Sequence, residues 1–511
     1  MFKMQDRGEN RDEADSKLAL SSDGQGTGKD QDKGQDHVRN LVETWNSGRS
    51  SEFRGASSNS TQWVTDDEAS SSSIEGSACL GSELVYYGSQ DGTVHAKGRN
   101  TGTEVWSFAA GDAVSSSPSL LDDAIIFVGS QDSFLYALDA SNGTLLWESS
   151  SSDNDGPIYA SPVLVPPLPL PANITTTTVI VASGKSVRAF YAGGFAAGQR
   201  VWSFKSSDSG SFRIFSTPAV NLDTQRVFVG TGGNKKLLAI EMGSGKLIWQ
   251  YSAASPVLSS PCLQMYSHSP SLPRTGRVYF TTATGVMALG QSAGRLLWRE
   301  TSAGGGVSSP AVSNNTQLVF IGGSNSDISA LSAIDGAVVW TFRTGGPVSS
   351  SPVVDVDNSV YASSSDGSLY SINGSTGALR WQFNAPATVQ LLASPVISST
   401  GSIFIGDSGG SFYSIGGPVA QNYQPQQGPS FSPTSGPGGS GSNSGAAFKS
   451  GLGAGQIAAA VICSVLGAAA LATALFFFVR KHRMRSHSRE ESATAAALEV
   501  ARRQQAAATR Y

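Results

Sequence analysis

The side chains best suited to chemistry in this 511-residue chain are few and scattered. Cys79, Cys262 and Cys463 share neither a CxxC nor a Cys/His metal spacing, and three cysteines cannot build a disulfide framework. His95 and His268 are the histidines between residues 59 and 417, too few for a histidine metal cluster. Asp355-Val356-Asp357-Asn358 gathers carboxylates and an amide, but it lacks the spacing and terminal Glu of a calcium loop and reads as a turn between strands. There is no HExxH string and no phosphate loop. No residue is assigned a catalytic, cofactor-binding or metal-binding role, so attention passes to the elements that carry these side chains.

Composition points to many short strands. Charged residues make up 14%, glycines number 58, and serine is over-used, as tight turns between strands require. A net charge of -4 and a pI near 5.8 provide no basic stripe for nucleic acid.

A repeat dominates the middle of the chain. Seven tryptophans each stand four residues after a glycine: Gly102/Trp106, Gly143/Trp147, Gly198/Trp202, Gly245/Trp249, Gly294/Trp298, Gly336/Trp340 and Gly377/Trp381. A small residue such as Ala137 or Ala239 precedes most of these glycines by six positions, and the third repeat stretches this to nine at Ala189. A small residue and a proline follow each tryptophan, from Ser117-Pro118 to Ser394-Pro395. One period reads as four strands divided by turn pairs such as Asp91-Gly92, Asn142-Gly143 and Asp366-Gly367, where a positive φ is needed. That is one propeller blade, with proline opening its first strand and tryptophan in its outermost. The first three strand types recur eight times, the last set, Leu391 to Ile415, lacking a tryptophan strand. Thr61-Gln62-Trp63-Val64 upstream has the character of the missing strand. The expected fold is all-β: an eight-bladed propeller over residues 59–417, closed by the N-terminal strand.

The stretch Phe127-Val128-Gly129-Ser130-Gln131-Asp132, followed by Tyr136 to Asp139, Asn142-Gly143, Leu146-Trp147 and Ser161-Pro162, resembles the repeat of quinoprotein (PQQ-type) propellers. That repeat also occurs in the non-catalytic propeller of the bacterial outer-membrane assembly lipoprotein. The dehydrogenases of the superfamily imply a quinone held between a tryptophan floor and a disulfide of adjacent cysteines, a calcium ion bound by carboxylates and an amide, and an aspartate base. This sequence has no Cys-Cys pair, and its repeated tryptophans belong to outer strands. The alternative reading, a quinone- and calcium-dependent dehydrogenase, is therefore set second to a binding module without cofactor.

Residues 1–58 are polar with charges of both signs and are expected to be disordered, with no recognisable signal peptide. Residues 418–455 form a Gly/Ser/Pro-rich stalk. In the segment 456–479, Ile457 to Val479 is uncharged and mostly apolar, long enough to span about 30 Å of hydrocarbon as a helix. Arg480, Lys481, Arg483, Arg485 and Arg489 follow it, so residues 480–511 are expected to be cytosolic and the propeller lumenal or extracellular. Five candidate N-glycosylation sequons begin at Asn59, Asn142, Asn173, Asn314 and Asn373.

The layout of propeller, stalk, span and tail resembles the plant gamete-expressed membrane proteins, which implies recognition at the plasma membrane during reproduction. The longest outer-to-inner connections, Ser149 to Ala160 and Ser203 to Ser216, flank one blade on the face where propellers usually bind ligands. Tyr159, Phe212, Arg213, Ile214 and Phe215 there are the candidate interaction surface, and the expected partner is a protein, with neither nucleic acid nor a small-molecule substrate. Trp63, Trp106, Trp147, Trp202, Trp249, Trp298, Trp340 and Trp381 are expected to be structural.

Overall fold

A computed structural model describes residues 60–66, 72–153, 155–169, 174–206, 213–264, 276–313 and 315–416. The segment 456–479, the stalk, the tail and residues 1–58 lie outside them, as do Phe212, Asn59, Asn173 and Asn314. Among the described residues no helix is long and apolar enough to cross a membrane. Among the described residues the one helical element is a single turn of 3-10 helix at Ser151–Asp153.

Eight four-stranded antiparallel sheets form the blades of one propeller. We letter the strands of each blade a to d outwards from the axis. Blade 1 comprises Cys79–Leu80, Leu84–Gly88, Thr93–Gly98 and Glu104–Ala109. Blade 8 takes Val396–Ile397, Ile403–Gly406 and Ser411–Ile415 from the end of the array and Thr61–Asp66 from its beginning. The register pairs Thr61 with Ile415 and Asp66 with Ser411. The ring therefore closes with the N-terminal strand, as the tryptophan count requires, and an open pair of blade edges is avoided.

Each repeat residue has a specific mechanical role. The small residue six before the glycine is the cross-strand partner of the tryptophan, as in Ala96 with Trp106 and Ala330 with Trp340, so the indole meets no bulk on the c strand. In seven blades the indole packs on an aromatic of its own b strand, with ring centroids 5.7–5.8 Å apart. It then reaches forward: Trp106 Nε1–H donates to the Ala140 carbonyl of the next blade at 2.9 Å, and six further indoles do the same, Trp63 bonding Arg99 of blade 1 across the closure. The surface that receives each of these seven indoles is the next blade's glycine. A Cβ on Gly143 would lie 2.5 Å from Trp106, and the φ of +74° there is itself one that disfavours L side chains. Each indole removes roughly 150–250 Å² from water, which makes the seams the main apolar joints between blades.

Serine joins the inner strands. The Ser or Thr before each proline accepts a hydrogen bond on its hydroxyl from the backbone N–H of the equivalent residue one blade earlier, along the series Ser77, Ser117, Ser161, Thr217, Ser260, Ser309, Ser351 and Ser394, at 2.8–3.1 Å. In five blades the serine before that one accepts from the end of its own b strand, as Ser116 does from Gly129. These hydroxyls thus satisfy backbone donors beside the prolines that interrupt the ladder.

Candidate functional site

Aligning the blades on their prolines shows what the connections place at the mouth of the ring. Four residues before the proline stands an aliphatic side chain directed into the core, except in blade 6, where Gly306 holds the position: Val114, Ile158, Ile214, Val257 and Val348 are each at most 2% exposed. Three before it, the next side chain turns away from the core, immediately before the innermost strand. In blades 3 to 6 that position is held by Tyr159, Phe215, Leu258 and Val307, an apolar arc over four consecutive blades. The Tyr159 and Phe215 rings meet at 4.9 Å between centroids. Phe215 and Leu258 both approach the backbone of Gly232, where an added Cβ would come within 3.7 Å and 3.3 Å of them. Phe215 is 36% exposed and Val307 48%, apolar surface left uncovered in a chain that buries its other inner aliphatics thoroughly.

The other four positions are mixed. Leu392 of blade 8 is apolar, whereas Ser349, Glu75 and Ser115 of blades 7, 1 and 2 are polar. Gln90 and Gln131 each donate to the Ser115 hydroxyl at 2.8 Å, making a polar sector opposite in kind to the arc. Glu75 is open to solvent by surface area, yet crowding by the surrounding chain desolvates its carboxyl and pushes it above the ordinary carboxylate range.

Ion pairs fix the arc's first connection. Asp155 receives Arg188 from the c strand of blade 3, Lys205 from its d strand at 3.0 Å, and the Ser186 hydroxyl. Burial works against the charge on Asp155, but Ser186, Lys205 and Arg188 together hold its carboxyl below the usual range. Asp153, itself buried, pairs with Arg200 of the same d strand. Tyr159 is thereby carried on a connection tied to blade 3 through two of its side chains, Asp153 and Asp155, which preorganises the arc.

Of the expected surface residues, the structure brings Tyr159 and Phe215 together and leaves the Arg213 side chain exposed, with no hydrogen-bond partner among the described residues. Ile214 is corrected: it is 1% exposed and belongs to the core, because it occupies the inward position of the repeat. Leu258 and Val307 were missed by sequence reasoning, although the three-before-proline alignment carries them.

The quinone and calcium machinery finds no match among these residues. Cys79 and Cys262 sit in the a strands of blades 1 and 5, and burial pushes both thiols up, that of Cys79 to about 12. Among the described residues no three or more His, Cys, Asp or Glu side chains converge as metal ligands would. The repeat tryptophans lie on d strands, away from the axis. Two Gly-x-Ser-x-Gly strings, 290–294 and 406–410, are turns of the repeat: the c–d turn of blade 5 and the b–c turn of blade 8. His95, the histidine among the described residues, faces Glu104 within blade 1 at 3.1 Å.

The sequence profile of the family described as outer membrane protein assembly factor BamB matches residues 90–288 and 282–417. Among solved structures, the quinohemoprotein alcohol dehydrogenase from Comamonas testosteroni is similar with a TM-score of 0.61 and 14% identity, over 77% of this chain and 84% of that one. BamB from Moraxella catarrhalis gives 0.53 and 15%, over 70% and 100%. A europium-containing methanol dehydrogenase gives 0.58 and 14%, over 71% and 88%. At these identities the likeness is one of fold. A search of curated proteins found no match.

Proposed function

Because the chain belongs to the family described as outer membrane protein assembly factor BamB, we propose that its propeller works by binding a segment of another protein at the mouth of the ring, and not by catalysing a reaction. The observation that carries this is the apolar arc of Tyr159, Phe215, Leu258 and Val307, its first connection held to blade 3 by the ion pairs of Asp153 and Asp155. An apolar or aromatic anchor seated there would be desolvated on both sides, while Arg213 at its edge offers donors to the backbone or a carboxylate of the same segment.

The segment 456–479 supports a membrane-anchored form with the propeller outside and residues 480–511 in the cytosol. Within that form, the resemblance in layout to gamete-expressed membrane proteins favours recognition at the plasma membrane.

Panning the full-length chain against a displayed library of random peptides tests the binding site. Enriched peptides are expected to carry an aromatic or branched aliphatic anchor, and their affinity should fall by about 30-fold in Phe215→Ser if that ring is a hot spot. Both Phe215 and Val307 are exposed, so serine at either leaves the core intact. Leu146→Ser, at an exposed position of an outer strand, is the control and should change nothing. Peptides that bind Phe215→Ser as well as the parent would remove the mouth from consideration.

A further inference from the structure

The Asn-x-Ser/Thr triplets that begin at Asn142 and Asn373 share one face of the propeller. Successive strands of a blade reverse direction, so the a–b and c–d turns lie at one end of every sheet, and the b–c turns and d-to-a connections at the other. Asn142 lies in the c–d turn of blade 2, and Asn373 opens that of blade 7. The other three triplets begin outside the described residues, but their described neighbours belong to the same end. Thr61 opens the d strand of blade 8, Ile174 stands between the a and b strands of blade 3, and Ser313 ends the a strand of blade 6. The arc of Tyr159 and Phe215 is at the opposite end.

We infer that Asn142 and Asn373 are N-glycosylation sites, and that sugar on this turn face leaves the mouth face as the one open to a partner. The inference rests on the reading that the propeller is lumenal or extracellular. Asn142 is exposed, its Oδ1 accepts the Thr144 backbone N–H at 2.9 Å, and its Nδ2 has no partner among the described residues. Gly143 beside it is pinned by Trp106 of the preceding blade, which holds Asn142 at the tip of its turn. At Asn373, Oδ1 accepts the N–H groups of Ser375 and Thr376 at 3.0 and 3.2 Å, and Nδ2 is again without a partner among the described residues. In the transfer, asparagine Nδ2 bonds to the anomeric carbon of a lipid-diphosphate-linked oligosaccharide. The anomeric C–O bond breaks, the lipid diphosphate leaves, and one Nδ2 proton passes to base. The bulky polar product would stand over the turn end and keep it from packing against other proteins.

The test uses the full chain expressed in eukaryotic cells. Treatment with an N-glycosidase in heavy-oxygen water marks each formerly glycosylated asparagine, and protease protection in sealed microsomes reads the side of the membrane independently. The expected result is a protected propeller with sugar on Asn142 and Asn373. Thr144→Ala, which keeps Asn142 and its neighbours, should remove one glycan and leave the melting temperature unchanged. A protected propeller with either asparagine bare overturns the assignment there while leaving the lumenal reading intact. A propeller digested from the outside and carrying no sugar overturns both.

Discussion

Replacing Gly143 with alanine should destabilise the propeller far more than the same change at Gly194, and the difference measures the inter-blade seam. Both glycines hold nearly the same positive φ, +74° and +77°. An L residue in that region costs about 1 kcal/mol at either place. The surroundings differ. A Cβ at Gly143 would lie 2.5 Å from Cε3 of Trp106 and 2.8 Å from Cδ2, whereas at Gly194 nothing stands within 4 Å. The indole is fixed on its other edge by the 2.9 Å bond to the Ala140 carbonyl and cannot retreat without loosening it. Overpacking of this kind adds about 1–3 kcal/mol, giving about 2–4 kcal/mol for Gly143→Ala against about 1 kcal/mol for Gly194→Ala. Urea unfolding followed by circular dichroism would show this as a larger shift in midpoint at constant slope. Repeating both changes in a Trp106→Ala background closes a double-mutant cycle, in which the excess at Gly143 should vanish. Equal midpoints for the two single variants, or an excess that survives loss of the indole, would refute the seam as described.

Ser117→Ala should cost about 1–3 kcal/mol by leaving the Ser77 N–H without its acceptor, while Ser117→Thr should be tolerated as Thr217 is in the same role; urea midpoints compare them. Asp155 has a depressed folded carboxyl, so its stabilisation is complete above the ordinary carboxylate value of about 4 and is lost as pH falls through the folded value. Hydrogen exchange in the connection 149–160 should therefore rise on acidification, and Asp155→Asn should show the raised exchange at neutral pH. Adding quinone and calcium to the purified protein should leave its melting temperature unchanged; a ligand at 100 times its dissociation constant would instead contribute about 2.7 kcal/mol.

The ring was legible because its joints are single large residues at fixed spacing. Trp63 could be assigned to blade 8 since only a Trp strand was missing there, and the register of Thr61 with Ile415 bears that out. The hydroxyl series was not legible: serine before proline looks the same whether it merely fits a small site or accepts an inter-blade bond. Ile214 was misread because it was weighed with its aromatic neighbours, although alignment on Pro218 puts it with Val114 and Val257 at the inward position. The same alignment exposes Leu258 and Val307, but that the position three before proline turns to the mouth depends on how the strands are ordered from the axis. The Asp155 pairs, with Arg188 and Lys205 far along the chain, depend on the fold and have no local signature.

Site-specific photo-crosslinking on cells bearing the full chain tests most directly where the molecule binds. A photoreactive phenylalanine at position 215 or 258 should form a covalent adduct with a protein partner, and one at position 293 or 334, in exposed c–d turns of the turn face outside both sequons, should form none. Adducts from the turn-face positions with none from the mouth would contradict a binding site built on the apolar arc.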